Sequence, residues 1–174
     1  MKELEPARLR LRKVCADDAQ AIFDNWASDD EVTKYITWNT HKSIDDTNRI
    51  LGIWLKEYEA EPCYRYGIER KEDGVLMGMI DVVGFRNGNP VIGYASGRAF
   101  WNNGYMTEAL QAVVEELFSD GYETIVIEAI DENIGSNRVI QKAGFTLVGI
   151  EQRPLSRFKP QIVTLNSYRL HKVR

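Results

Sequence analysis

Cysteine and histidine are scarce in this chain. Its 174 residues hold two of each, Cys15, Cys63, His41 and His171, with no CxxC pair and no ligand spacing. Neither a metal centre nor a redox dithiol is expected, and two reduced thiols fit a cytoplasmic protein better than a disulfide. A basic excess is also missing. The net charge of −4 and a pI near 5.3 argue against a nucleic-acid partner. The local cluster Arg8, Arg10, Arg12 and Lys13 is assigned to outward positions of an edge strand. No run approaches the ~20 apolar residues of a membrane span, and residues 1–6 lack the apolar stretch of a secretory leader. Repeats, low-complexity tracts and Ser/Gly-rich linkers are absent too. Residues 1–174 are therefore taken as one domain, expected in the cytoplasm without a membrane partner.

What the chain does contain is clear periodicity. Residues 9–14 alternate apolar and basic, the pattern of a half-buried strand. Residues 17–28 predict a helix capped by Asp17 and Gln20, with Ile22, Phe23 and Trp26 on one face. A second helix is predicted over 43–60, opened by Ser43 with Asp46 in the answering position. Three strands follow at 64–70, 75–85 and 90–96, separated by Asp73-Gly74 and Asn87-Gly88-Asn89, both hairpin signals. Met106, Ala109, Leu110, Val113, Val114, Leu117 and Phe118 mark the clearest helix, ended by Gly121. A buried strand at 124–130, a short helix at 133–143 and strands at 145–150 and 161–170 complete the chain. The order β-α-α-β-β-β-α-β-α-β-β mixes hairpins with crossovers. An α/β fold with a mixed central sheet and helices on both faces is the expected class.

The segment from Ser96 to Thr107 joins a strand to the strongest helix. A helix N-terminus offers unpartnered N–H groups and about half a positive charge, so an anion site is physically reasonable there. A tight turn at Gly104 with no ligand is the plainer alternative. Neither GxGxxG nor a Walker loop is present.

Gly93-Tyr94 followed by Trp101-Asn102-Asn103-Gly104-Tyr105-Met106-Thr107-Glu108-Ala109-Leu110 resembles the acetyl-CoA signature of GNAT N-acetyltransferases. Residues 128–145, with Asn133, Ser136 and the Gly144-Phe145 exit, resemble the family's second motif. The opening, Leu9 to Arg12 and Val32 to Tyr35, is similar to the RimJ/RimL branch, which acetylates protein N-termini. The resemblance implies acetyl-CoA as co-substrate. Its pyrophosphate would lie on the backbone of Asn102, Asn103, Gly104, Tyr105, Met106 and Thr107, and its pantetheine arm along Tyr94, Ala95 and Ser96. Asn133 and Ser136 would reach the arm and the sulfur. The sequence departs from the pattern twice. Trp101 stands where many relatives carry Arg or Gln, and Ile140 stands where many carry a tyrosine that protonates the leaving thiolate.

An acetyl transfer to an amine needs a neutral amine, a held thioester, an oxyanion donor and a route for a proton. The expected donor is a main-chain N–H near Ser96, with direct attack rather than an acetyl-cysteine. Asp81 and Glu128, acids in apolar strands, are the proposed proton acceptors, and Ser136 the group at the thiolate. Trp26, Tyr35, Trp38 and His41 would line the acceptor pocket, rimmed by Asp29, Asp30, Glu31, Asp45 and Asp46. The alternative for these residues is core packing and helix capping. The acceptor is expected to be a protein or peptide N-terminus, with a small-molecule amine as the rival and a non-catalytic acetyl-CoA sensor as the reading from another class. Monomer and homodimer both stay open.

Overall fold

The computed structural model describes residues 1–60 and 62–173. Seven strands form one sheet: β1 (Leu9–Arg12), β2 (Arg65–Arg70), β3 (Leu76–Arg86), β4 (Asn89–Ser96), β5 (Thr124–Ile130), β6 (Thr146–Pro154) and β7 (Ile162–His171). They are ordered β1-β2-β3-β4-β5-β7-β6, and every neighbouring pair is antiparallel except β4 and β5. Five helices pack around it: α1 (Ala19–Ile22), α2 (Asp30–Thr33), α3 (Ile44–Glu57), α4 (Tyr105–Ser119) and α5 (Ile134–Lys142). The expected mixed sheet with helices on both faces is what the chain forms. Both hairpin signals act as read: Asn87 and Gly88 adopt left-handed backbone between paired Arg86 and Asn89, and Gly74 turns at φ +72°.

α4 lays Ala109, Leu110, Val113, Val114 and Leu117 onto Ile80, Ile92, Ile125 and Ile127 of the sheet. Each such Leu or Val removed from water is worth about 1.5–3 kcal/mol. The opposite face carries a second core of Val14, Ile22, Trp26, Leu51, Leu76 and Met79, which seats α1 and α3. Leu9 and Leu11 are fully buried, whereas Arg10 stays in solvent on the edge strand. Arg12 instead turns to pair with Asp18 and Glu69. No helix is long and apolar enough to cross a membrane among the described residues.

The first predicted helix needs correction. Residues 17–28 do not form one α-helix. The segment starts as a 3-10 turn at Ala16–Asp18, continues as α1, and widens into a π turn over Phe23–Ala27. There the Ser28 N–H reaches the Phe23 carbonyl at 3.1 Å, and the Ser28 hydroxyl adds a second bond to it. Asn25 is thereby turned inward to donate to the Leu76 carbonyl at 2.6 Å. The cap is Asp18, which accepts from the Cys15 N–H, not Asp17. Asp46 answers Ser43 as expected, accepting its N–H and that of Lys42. β6 runs four residues beyond the predicted strand, to Pro154, paired along its length with β7.

Candidate functional site

β4 and β5 run parallel but pair only at Val91–Val126 and Ile92–Ile127. Beyond Ile92 they separate. The Gly97 N–H donates to the Met77 carbonyl, and Ala95 faces Met79 in the same register. Peptide groups alternate in direction along a strand, so those of Tyr94 and Ser96 turn away from β3 and into the gap. The gap thus has one wall of unladdered backbone, the edge to which an extended arm adds like another strand. The Ser96 carbonyl is held by the Trp101 indole N–H at 2.8 Å. Its N–H is the expected oxyanion donor.

From the end of β4 the chain turns through Gly97, a short 3-10 turn at Arg98–Phe100, and Asn102 and Gly104, both left-handed at φ +60° and +78°. A Cβ on Gly97 would stand 2.2 Å from the Asn25 carbonyl oxygen, so the π turn and the loop are fitted to each other through a glycine. The first backbone bond of α4 runs from Glu108 N–H to the Gly104 carbonyl. The amides of Tyr105, Met106 and Thr107 precede it, and no side chain caps them. With the helix dipole behind them, these groups present free donors where the sequence places an anion site. Arg8 is a neighbour that sequence reasoning placed merely on an outward strand face. It donates to the Asn103 carbonyl and to Glu108, and its guanidinium lies 4.5 Å from the centre of the Tyr105 ring.

α5 closes the other side of the gap. Asn133 accepts from the Ser136 N–H at 3.1 Å, so its oxygen serves as the N-cap. Ser136 itself lies 2.9 Å from the hydroxyl of Tyr94, whose ring crosses from β4. Burial pushes the Tyr94 phenol above its ordinary range. Ile140 is fully buried in the main core. The α5 N-terminus is anchored by Asn137, which donates to the Ile130 and Asn133 carbonyls and accepts from Tyr168 and Asn166. The sequence carried one signal for it: a polar residue three positions before Ile140, on the buried face of α5.

On the opposite face of the sheet, Asp81 pairs with Gly93 across β3 and β4, and the β4–β5 register brings Glu128 level with Gly93. Both carboxylates therefore share one row, with Gly93 between them and the Val83 side chain leaning over it. Asp81 Oδ2 accepts from Arg65 Nε and Nη2 at 3.0 and 2.9 Å. A Cβ on Gly93 would lie 3.8 Å from Oδ1, the oxygen on that side. Burial raises the Asp81 carboxyl above its ordinary range despite the Arg65 charge. Glu128 has an arginine on each oxygen: Arg86 on Oε1 and Arg153 on Oε2.

The expected acceptor pocket is altered in detail. Trp26 is fully buried in the second core, so it backs this region rather than surfacing it. His41 is buried too, bonded to Thr47, and desolvation lowers its pKa. Trp38 remains half-buried beside His41, and Tyr35 packs on Ile130, Leu155 and Leu165, spanning to the far side of the gap. Asp29 caps α2 and binds Arg98, Asp30 binds Thr40 and Lys42, and Asp46 caps α3, so much of the acidic rim is already paired. The β6–β7 loop, missed from sequence, docks here through Ser156 Oγ on the Thr37 carbonyl and Lys159 Nζ on that of Thr33.

The fold recurs in known proteins. Residues 8–146 match the acetyltransferase (GNAT) domain family. The chain is 33% identical over 150 residues to YoaA, an uncharacterized N-acetyltransferase of Bacillus subtilis, covering 84% of each. A GNAT-family acetyltransferase structure from Bacillus anthracis superposes with a TM-score of 0.84 at 22% identity, covering 98% of both chains. RimL, the ribosomal L7/L12 alpha-N-protein acetyltransferase in complex with coenzyme A, does so at 0.84 with 19% identity and the same coverage. A split sheet leading into an uncapped helix N-terminus, in a chain of this kinship, makes this protein a member of the GNAT acetyltransferases and an acetyl-transferring enzyme.

Proposed function

We propose that the chain transfers the acetyl group of acetyl-CoA directly to the α-amine at the N-terminus of a protein or peptide. The observation that carries this reading is the β4–β5 split. It offers the Tyr94 and Ser96 peptide groups to a pantetheine arm and leads into the Asn102–Thr107 backbone for the pyrophosphate. The thioester carbonyl then sits against the Ser96 N–H. The amine arrives from the Asp81–Gly93–Glu128 face, between Tyr35, Trp38 and the β6–β7 loop. An α-amine has a reference pKa near 8, against about 10.4 for a lysine-type amine, so it sheds its proton more readily at neutral pH. Likeness to a protein α-N-acetyltransferase supports the same acceptor.

Of the two carboxylates, Asp81 is the better proton acceptor. Its Oδ1 lies on the Gly93 side beside Val83 and takes no hydrogen bond from Arg65, while both oxygens of Glu128 are held by arginines. Direct attack is kept from the sequence reading, and a covalent intermediate on cysteine finds no support in the geometry. Cys15 opens the first helical segment, and Cys63 lies beside the hollow lined by Met1, Tyr64 and Asp120. The deciding experiment measures thiol release from acetyl-CoA with N-terminal peptides, polyamines and amino sugars. Peptides with free α-amines should be preferred. Preference for a polyamine or sugar would assign a small-molecule acceptor, and tight acetyl-CoA binding without any turnover would make the chain a sensor.

A further inference from the structure

Ile140 leaves α5 without a phenol, yet a phenol reaches the same helix from the other side of the gap. Tyr94 stands on β4 with its peptide group facing the gap and its ring on the α4–α5 face, where its oxygen meets Ser136 Oγ at 2.9 Å and the Ser136 carbonyl at 3.3 Å. An arm laid along the Tyr94–Ser96 backbone must pass over this hydrogen bond, because the ring bridges β4 to α5 beneath it.

Resting on the acetyl-transfer reading above, we propose that Tyr94 is a positioning residue. By donating to Ser136 Oγ it turns the serine's own hydrogen outward, so that Ser136 stabilises the departing thiolate through a hydrogen bond and keeps its proton. A serine in the first turn of a helix otherwise has local backbone carbonyls to donate to. A donor from Tyr94 occupies one lone pair of Oγ and selects the outward rotamer. The C–S bond breaks, its electron pair stays on sulfur, and the proton lost by the amine leaves through the opposite face.

Magnitudes separate this from proton donation. A thiol such as that of cysteine has a reference pKa near 8.5 and a phenol near 10, and burial raises Tyr94 further. Tyr168 of β7 is the titratable neighbour whose charge acts on it, in the same direction. Moving the phenol's proton onto the thiolate runs uphill, and through a serine hydroxyl more so. A hydrogen bond to a charged group, by contrast, is worth about 1.5–3 kcal/mol, or roughly ten- to a hundredfold in rate.

The test compares the unaltered enzyme with Tyr94→Phe, Ser136→Ala, Ser136→Thr and the double variant Tyr94→Phe/Ser136→Ala. Acetyl-CoA affinity is measured by calorimetry, and kcat from thiol release between pH 6 and 10.5. Tyr94→Phe should lower kcat about tenfold while leaving acetyl-CoA affinity within twofold. The double variant should be no slower than Ser136→Ala, because Tyr94 acts through the serine. Ser136→Thr, which keeps the hydroxyl, should recover most of the rate. The enzyme's kcat should show no fall above pH 9 that Tyr94→Phe abolishes. Full turnover in Tyr94→Phe, additive losses in the double variant, or an alkaline limb that depends on Tyr94 would each overturn the proposal alone. No thiol release from the unaltered enzyme with any amine would overturn the transfer reading and this one together.

Discussion

Trp101 Nε1 donates to the Ser96 carbonyl oxygen at 2.8 Å, folding the loop back onto the last residue of β4. The indole therefore ties the two parts of the proposed acetyl-CoA site, the strand edge and the helix entrance, into one piece. Trp101→Phe retains the ring but loses the donor. It should weaken acetyl-CoA binding about three- to tenfold, the worth of one ordinary hydrogen bond, with little change in melting temperature. Calorimetric titration of acetyl-CoA checks this.

Gly97 and Gly104 should respond differently to alanine. At Gly97 the added carbon meets a backbone oxygen at 2.2 Å, and neither the π turn nor the loop has a flexible end to yield. Gly97→Ala should cost about 2–3 kcal/mol and several degrees of melting temperature. At Gly104 the nearest atom is 3.5 Å away on Arg8, so the cost is the φ of +78° alone, about 1–2 kcal/mol. Thermal melts of the two variants, side by side, test the ordering.

Asn137 anchors α5 by five hydrogen bonds, three to the Ile130, Asp131 and Asn133 carbonyls and two from Asn166 and Tyr168. Asn137→Ala strands the buried Tyr168 hydroxyl and takes one partner each from the Ile130 carbonyl, which keeps the Asn133 N–H, and the Asn166 amide, which keeps Asp131. About 2–4 kcal/mol of stability should be lost in chemical denaturation, and kcat should fall because Ser136 loses its place.

Asp18 supplies a pH signature. Burial alone would raise its carboxyl, but the hydrogen bonds from Arg12 and the Cys15 N–H outweigh that and hold it below the ordinary range. A depressed folded pKa stabilises fully above the unfolded value near 3.9, and that stability is lost as pH falls through the folded value. The stability gap between the unaltered chain and Asp18→Asn should be wide at pH 7 and close progressively below pH 4. Urea melts across that range measure it.

Asp81 carries the opposite shift. Its carboxyl is raised by burial, so the basic form appears at a higher pH than for a solvated aspartate. The low-pH limb of kcat/KM should follow this group and vanish in Asp81→Asn, with a drop of about a hundredfold or more. Glu128→Gln should leave the limb in place. An unchanged limb in Asp81→Asn would remove Asp81 from the reaction.

Periodicity made the strands, α3, α4 and α5 legible, because each owes its existence to an apolar face set by the chain's own spacing. The first helix was not, since its π turn depends on Asn25 reaching Leu76 and on Gly97 making room some seventy residues later. The uncapped start of α4 was legible as a strand, a glycine and a helix start in succession. Arg8 was not, because its placement beside Tyr105 follows from β1 packing near α4 rather than from any local pattern. Tyr94 was named for its backbone, and only the cross-gap geometry gave its hydroxyl a partner.

The split between β4 and β5 has a thermodynamic side. A β4–β5 ladder that stops at Ile92 is unfinished, and on the proposed function the arm that completes it is the substrate. Acetyl-CoA is, on that same reading, also a detachable strand of the fold. At a hundred times its dissociation constant it should add about 2.7 kcal/mol to stability, and slow hydrogen exchange should spread from Ile92 toward Ser96 as the site fills. Each turnover then loosens and retightens the centre of the sheet.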